Sequence, residues 1–230
     1  MVGVVFELVQ LNPNTLVETL MPFTQNWFEE QKAPWIEYIV PALAGKPNLN
    51  FIEVGSYEGS SALWMCENIL VSDDCVLTCI DTFQGSMEIP YDSALLGRFR
   101  ENTKKHERKI RVIVDHSFNA LRGLVSKSGG PDPEPVFDLA FIDGSHVARD
   151  VLTDALLLWP YIKPGGYMVF DDYEWDVYSQ AMFCPKIAID AFVAVCSHEL
   201  TISYKGLQLF VQKRLEIIET PEINPRYRAV

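Results

Sequence analysis

Residues 51–63 read FIEVGSYEGSSAL, and this stretch decides how the chain folds. It begins with short apolar residues that suit a buried strand, passes through Gly55 and Gly59, and continues into residues that can start a helix. Glycine adopts backbone angles that other residues avoid, so the chain can turn tightly here. The backbone N–H groups at a helix start are donors for a polar ligand. The stretch therefore predicts a strand–turn–helix unit of the kind that cradles nucleotides.

Two residues of this stretch depart from the dinucleotide fingerprint G-x-G-x-x-G. Tyr57 occupies the middle glycine position, where a side chain hinders the close approach of a pyrophosphate. Glu53 adds a carboxylate two residues before the first glycine. This arrangement suits a ligand that has an amino group and no phosphate. The alternative is that the turn is only structural, because many α/β proteins contain one like it.

The rest of the chain alternates between strand-like and helix-like patterns. The predicted strands are residues 51–54, 76–80, 110–114, 137–142 and 167–170, and the predicted helices are 62–70, 95–105, 119–127, 151–159 and 187–196. Residues 164–166, Pro-Gly-Gly, predict a turn before the fifth strand, while residues 200–204 and 207–211 predict a closing hairpin. Such alternation implies an α/β fold with a mostly parallel sheet and helices on both faces. We expect seven strands, of which only the last runs antiparallel.

The residues before the first strand read as a helical segment. Asn14 or Thr15 can cap a first helix, and a second helix carries several aromatic residues with Pro34 in its first turn. This segment is either a layer packed on the sheet or a cap over a pocket. The predicted organisation is a helical segment, a core domain and a tail, at residues 1–48, 49–213 and 214–230.

Composition excludes several classes of protein. The net charge is −12, from 19 basic and 31 acidic residues among 230, and such a balance repels a nucleic-acid backbone. No apolar run approaches the roughly 20 residues that a membrane span needs. Residues 1–7 have neither a basic region nor a cleavage site, so we expect a cytoplasmic protein. The five cysteines include no Cys-x-x-Cys pair, which disfavours a zinc site or a disulfide framework.

Acidic side chains follow four of the five predicted strands that precede the hairpin. They are Asp81, Asp115, Asp143 and the pair Asp171-Asp172. Ligands of parallel α/β sheets bind beyond the carboxyl ends of the strands, where these acids would form a rim. Asp81 closes the strand beside the first one, where a carboxylate can accept both hydroxyls of a ribose. Its alternative role is to form a turn.

These motifs together resemble those of class I S-adenosylmethionine-dependent methyltransferases, in the small-molecule O-methyltransferase-like branch of the family 24 type. Residues 53–59 look like the first motif of that class, and Asp81 looks like its ribose-binding acid. Residues 140–146 and 157–172 look like the signatures of its fourth and fifth strands. The resemblance covers about residues 48–213 and implies a Rossmann-like methyltransferase fold.

The resemblance also implies a cofactor and a reaction. The implied S-adenosylmethionine site consists of Glu53, Gly55, Ser56, Tyr57, Gly59, Ser61, Asp81, Thr82, Ser117, Phe118 and Asp143. The implied activity is methyl transfer to a hydroxyl of a small molecule, although a nitrogen acceptor stays open. The rival interpretations are a nicotinamide-dependent oxidoreductase and a catalytically silent cofactor-binding or scaffold protein.

A possible metal site lies at the ends of the fourth and fifth strands. Asp143, Asp171 and Asp172 should converge there, since neighbouring strands lie roughly 5 Å apart. Three carboxylates make an oxygen site suited to Mg²⁺, and the set resembles the metal site of catechol-type and sugar O-methyltransferases. The alternative is that Asp172 caps a helix and Asp171 bonds to loop N–H groups.

His146 lies on the same rim, three residues after Asp143. It is a candidate general base for a substrate hydroxyl, because its ordinary pKa lies near neutrality. Alternatively, it only orients a loop. The catechol-type enzymes have a lysine near this position, so their mechanism does not transfer directly.

The aromatic N-terminal segment also bears on association. We expect Trp27, Phe28 and Trp35 to bury against a second copy in a homodimer or to cover the pocket.

Overall fold

The computed structural model of the chain describes residues 23–25, 27–127 and 134–216. The predicted cap at Asn14 or Thr15 lies outside the described residues, as does the tail from residue 217 onwards. The strands are β1 Asn50–Val54, β2 Val76–Asp81, β3 Ile110–Val114, β4 Phe137–Ile142, β5 Ile162–Phe170, β6 Leu200–Lys205 and β7 Leu209–Lys213. The α-helices are α1 Trp27–Pro34, α2 Val40–Leu43, α3 Ser60–Asn68, α4 Leu95–Thr103, α5 Ser117–Lys127, α6 Ala148–Leu158 and α7 Pro185–Val195.

The seven strands form one sheet in the order β3-β2-β1-β4-β5-β7-β6. Strand β7 pairs antiparallel with both β5 and β6, while the pairs among β1 to β5 are parallel. The predicted α/β sheet with an antiparallel last strand is therefore confirmed. Val54 pairs with Ile80 and Ile142, and Ile142 pairs with Phe170, so the carboxyl ends of four strands meet at one edge.

Helices cover both faces of the sheet because consecutive strand residues point to opposite sides. Phe51 packs in the core that contains Trp35 and α3, whereas Ile52 packs in the core that contains α6 and α7. Four of the five cysteines are buried, and all five are unpaired. Among the described residues, no helix is both long and apolar enough to cross a membrane.

Strand β5 differs from its prediction. The Pro-Gly-Gly segment at 164–166 lies inside the strand, which begins at Ile162 instead of Tyr167. Phe137 pairs with Ile162 and Leu139 pairs with Tyr167. Between these two pairings, β5 contains more residues than β4. Gly165 has a φ of 79°, which lets the extra residues bulge out while both ends of the strand stay paired.

The N-terminal segment also differs from its prediction at Pro34. The helix begins at Trp27, and Pro34 ends α1 before a π-helical turn at Trp35–Ile39, instead of standing in a first turn. Proline lacks the N–H that a regular helix needs, and the wider turn follows directly. Trp35 is fully buried against Phe141 of β4 and Phe210 of β7, so the described part of the segment packs on the sheet of its own chain.

Candidate functional site

A cavity of about 1340 Å³ opens at the carboxyl edge of the sheet. The loops after β1, β2, β3, β4 and β5 form its walls, and Trp27, Phe28 and Gln31 of α1 close one side. The described N-terminal residues therefore both pack on the sheet and cover the cavity. A volume of this size holds a nucleoside-sized cofactor together with a second small molecule.

Three residues of the loop between β1 and α3 have a positive φ, namely Gly55, Tyr57 and Gly59. Gly55 has a φ of 85°, and a Cβ added there would lie 2.0 Å from the backbone oxygen of Asp143. Gly55 is thus required by the close approach of the loop after β4. Tyr57 has a φ of 45°, so it adopts the left-handed backbone that a glycine would take, and its ring lies 5.2 Å from that of Trp27.

Asp81 ties this loop to the end of β2. Its Oδ2 accepts hydrogen bonds from the backbone N–H groups of Ser56 at 2.8 Å and Tyr57 at 2.9 Å. Its Oδ1 accepts one from the N–H of Phe83 at 2.6 Å. Asp81 also lines the cavity, and its Oδ1, which accepts only one of these three bonds, has a second lone pair for a ligand hydroxyl.

Glu53 lies behind the loop and away from the cavity wall, where the resemblance implied a cofactor contact. The side chain is fully buried and accepts hydrogen bonds from the hydroxyls of Ser56 and Ser61. Burial raises its pKa to about 7, although the serine hydrogen bonds favour the charged form. Glu53 therefore acts on a ligand only through the loop that it holds.

Gly59 also lies off the cavity wall. It precedes α3 with a φ of 85°, and a Cβ there would lie 2.8 Å from Thr103 and 3.0 Å from Phe99. This glycine serves the packing of α3 against α4. The other residues of the implied cofactor site line the cavity, namely Gly55, Ser56, Tyr57, Ser61, Asp81, Thr82, Ser117, Phe118 and Asp143.

The burial of Glu53 makes stability depend on pH. Between its ordinary pKa of 4.5 and about 7, the folded chain holds the Glu53 proton more tightly than the unfolded chain. Unfolding then releases a proton, so the free energy of unfolding falls as the pH rises through this window. We expect Glu53→Gln to reduce that fall. Urea unfolding of both proteins at about pH 5 and about pH 8 measures it, and an equal fall in both would contradict the assignment.

Asp154 of α6 is a cavity residue that the sequence did not point out. Its side chain is buried and is hydrogen-bonded by Ser117 at the start of α5. Burial raises its pKa to about 7, against the effect of that hydrogen bond. Asp150 lies one turn earlier on the same helix and also lines the cavity. Their spacing of four residues is a helical signal, but a pair of acids on a helix is usually a solvated face.

The three acids after β4 and β5 converge as predicted. One ligand oxygen from each of Asp143, Asp171 and Asp172 lies within 4.8 Å of the others. Asp143 is exposed to the cavity, but the surrounding protein atoms desolvate its carboxyl, and this and then the charge of Asp171 raise its pKa well above its ordinary value. Burial and then the charge of Asp172 raise the pKa of Asp171 to about 7. A bound cation would relieve the part of these shifts that comes from repulsion between the acids.

The alternative role of Asp172 as a helix cap does not match the structure. The described chain after Asp172 turns irregularly until a short 3₁₀ turn at Ala181–Phe183. Asp172 has a φ of 57°, a region that aspartate enters more readily than most residues. This backbone angle turns the chain at the end of β5, beside His146.

His146 is oriented from three sides. Its Nε2 lies 2.8 Å from Oδ2 of Asp172, its Nδ1 lies 3.4 Å from Oε1 of Glu88, and its ring lies 4.1 Å from that of Trp175. Burial lowers the pKa of His146, but the hydrogen bonds and charges of Asp172 and Glu88 outweigh it and raise the pKa. Nδ1 has no well-aligned hydrogen bond to any described residue. This nitrogen is buried and faces the Glu88 carboxylate, so a ligand reaches it only if Glu88 moves aside.

A buried ion pair connects the N-terminal segment with α4. Glu58 is buried and accepts hydrogen bonds from Arg98 at 2.6 Å and from the hydroxyl of Thr24 at 2.9 Å. Glu58 belongs to the loop between β1 and α3, so this pair holds the cavity wall and its cover together. The three residues are far apart in the sequence and share no pattern, which explains why the sequence did not predict the pair.

Comparison with known families identifies a domain that covers most of the predicted core domain. A family model described as a methyltransferase domain matches residues 52–173. An uncharacterized protein, R132, of Acanthamoeba polyphaga mimivirus is 27% identical over 132 residues, which are 56% of this chain and 53% of that protein. The chain thus spans about half the length of the curated relative that it matches.

Solved structures share the fold at low sequence identity. The O-methyltransferase from Bacillus cereus in complex with SAH is 13% identical, with a TM-score of 0.54 and coverage of 72% of this chain and 74% of that chain. The MycE methyltransferase of the mycinamycin biosynthetic pathway, in complex with Mg, SAH and mycinamycin VI, is 17% identical, with a TM-score of 0.53 and coverage of 86% and 53%. At such identities the likeness concerns the fold.

Proposed function

This chain belongs to the methyltransferase-domain family, and from that premise we propose that it methylates a hydroxyl oxygen of a small molecule with S-adenosylmethionine as the donor and Mg²⁺ as a helper. The observation that carries the proposal is the acid cluster after β4 and β5. It shares one cavity with the glycine-turned loop after β1, which supports a donor site and an acceptor site side by side.

The cavity wall suits this donor. S-adenosylmethionine supplies a methyl group bonded to a positively charged sulfur. Gly55, Ser56 and Tyr57 would hold its methionine part, where Tyr57 disfavours a pyrophosphate. Asp81 would hold a ribose hydroxyl through the remaining lone pair of Oδ1, and Phe118, which is half exposed in the cavity, would face the adenine. The acidic wall complements a ligand with positive charge and an amino group.

The acid cluster suits a divalent cation. Carboxylate oxygens are the protein ligands that Mg²⁺ prefers, and Asp143, Asp171 and Asp172 offer three of them. A bound cation would lower the pKa of an acceptor hydroxyl and fix its oxygen beside the donor. Asp172 has two oxygens, so it can bind His146 through Oδ2 and still offer Oδ1 to the cation.

His146 is the proposed general base. Its Nε2 is bound to Asp172, so the proton of the acceptor hydroxyl would pass to Nδ1 after the Glu88 carboxylate moves away from that nitrogen. The carboxylates of Asp172 and Glu88 then stabilise the imidazolium. The chain otherwise contributes mainly positioning, because the acceptor oxygen must lie in line with the donor sulfur and methyl group. Trp27, Phe28 and Trp175 line the cavity and would exclude water from it.

An acceptor panel tests this proposal. The full chain is incubated with S-adenosylmethionine, Mg²⁺ and small hydroxylated molecules, each paired with the amine that replaces the hydroxyl, and release of S-adenosylhomocysteine is measured. We expect release with hydroxyl acceptors and not with their amines. Release with amines alone would contradict an oxygen acceptor, and no release from a broad panel would favour a catalytically silent protein.

A further inference from the structure

A buried hydrogen-bond chain leads from the N-terminal segment to the acid cluster. Trp35 Nε1 donates to Oε1 of Gln208 at 2.9 Å, and Gln208 Nε2 donates to Oδ1 of Asp171 at 3.1 Å. The side chain of Trp35 is 0% exposed and that of Gln208 is 1% exposed, so water does not compete for these bonds. The chain joins three parts of the fold: the π-helical turn after α1, the start of β7 and the end of β5.

The chemistry of the tryptophan fixes the direction of this chain. An indole nitrogen only donates, so the oxygen of the Gln208 amide must face Trp35. The amide NH₂ group must then face Asp171, where it requires an acceptor. One oxygen of the Asp171 carboxylate is thereby held by the protein, which restricts how the carboxylate turns relative to Asp143 and Asp172.

The first donor of the chain is itself immobile. The Trp35 ring packs edge-on against Phe28, Phe141 and Phe210, with ring centroids 5.6, 5.1 and 5.7 Å away. A close-packed aromatic cluster has few alternative rotamers, so the indole N–H keeps its direction. Gln208 directly precedes β7, which is paired with β5 from Tyr167 to Phe170, so its backbone is fixed as well.

We infer that Trp35 and Gln208 are positioning residues that orient the Asp171 carboxylate for binding a divalent cation. The inference rests on the proposed function, because it takes Asp171 as a metal ligand. Partners that orient a ligating carboxylate typically change metal affinity by about 10- to 100-fold when they are replaced. Neither residue lines the cavity itself, so their replacement should alter cation binding and spare binding of the methyl donor.

The test compares two hydrogen-bond deletions with two matched controls. Gln208→Met keeps the shape of the side chain and removes both bonds, and Trp35→Phe removes the indole N–H. Gln212→Met removes a side-chain bond from β7 to the Gly165 carbonyl, and Trp159→Phe removes an indole bond to Glu199. Mn²⁺ affinity is measured on the full chain by calorimetry, and S-adenosylhomocysteine affinity reports whether each variant is folded.

We expect Mn²⁺ to bind Gln208→Met about tenfold more weakly than the wild-type chain. Trp35→Phe should lose less, because the bond from Gln208 to Asp171 can persist. Both controls should keep wild-type Mn²⁺ affinity, and all four variants should keep S-adenosylhomocysteine affinity. If Gln208→Met also loses S-adenosylhomocysteine, then Trp35→Phe decides, and unchanged Mn²⁺ affinity there overturns the inference.

Two further outcomes separate this inference from the proposal beneath it. Equal Mn²⁺ affinity in the wild-type chain and Gln208→Met would overturn the positioning role alone. No Mn²⁺ binding by a wild-type chain that binds S-adenosylhomocysteine would overturn the metal assignment and the inference with it.

Discussion

Asp171→Asn and Asp143→Asn should each weaken Mn²⁺ binding about a hundredfold or more, because each removes a charged ligand and outer partners alone account for about 10- to 100-fold. The three acids lie within 4.8 Å of one another, so each contributes to one site. Calorimetry with Mn²⁺ on the full chain measures the effect. S-adenosylhomocysteine should still bind Asp171→Asn, since Asp171 lies outside the implied donor site.

The control is an acid that lines the cavity but lies outside the cluster. Asp115 follows β3, lines the same cavity and lies outside the cluster, so Asp115→Asn should keep wild-type Mn²⁺ affinity.

Once an acceptor is known, EDTA should abolish turnover by the wild-type chain. Turnover that persists in EDTA would mean that the acids act structurally or in proton transfer, and that the metal assignment is wrong.

Gly55→Ala should have the largest effect on stability, with a loss of about 3 kcal/mol or more in the free energy of unfolding. The φ of 85° would strain an alanine, and its Cβ would lie 2.0 Å from the Asp143 backbone oxygen. The loop after β1 and the loop after β4 would have to separate. Since these loops would hold the proposed donor and cation, S-adenosylhomocysteine and Mn²⁺ affinity should fall together.

Two other glycines distinguish the cost of backbone strain from the cost of a Cβ that meets neighbouring atoms. Gly45 has a φ of 76° with no atom within 4 Å of an added Cβ, so Gly45→Ala should cost only about 1 kcal/mol from the backbone angle. Gly97 lies in α4 with open space around it, so Gly97→Ala should stabilise the chain by about 0.5–1 kcal/mol. Urea unfolding measures all three variants. A Gly55→Ala loss no larger than that of Gly45→Ala would contradict the packing argument.

The sheet was predictable because the residues that define each strand are neighbours in the sequence. Each strand carries its own apolar run, and the alternation with helices dictates parallel pairing. The acid cluster was predictable for the same reason, since parallel strands end at one edge. The start of β5 was not, because a Pro-Gly-Gly segment reads as a turn, and only pairing between Phe137 and Ile162 keeps it in the strand.

The interactions around the cavity were harder to predict because their partners are distant in sequence. Arg98 lies 40 residues after Glu58, and Gln208 lies 173 residues after Trp35. No periodicity connects such pairs. Glu53 was predicted to contact the ligand because it is an acid beside a glycine motif. Strand alternation instead places it on the same face as Phe51, beneath α3.

The most direct test of the central claim, that the cavity binds S-adenosylmethionine, is calorimetry of the full chain with S-adenosylmethionine, S-adenosylhomocysteine and NAD. The account predicts binding of the first two at one site per chain and no binding of NAD, because Tyr57 stands where a pyrophosphate needs a glycine. Binding of NAD without either sulfur compound would contradict it and indicate a nicotinamide-dependent oxidoreductase.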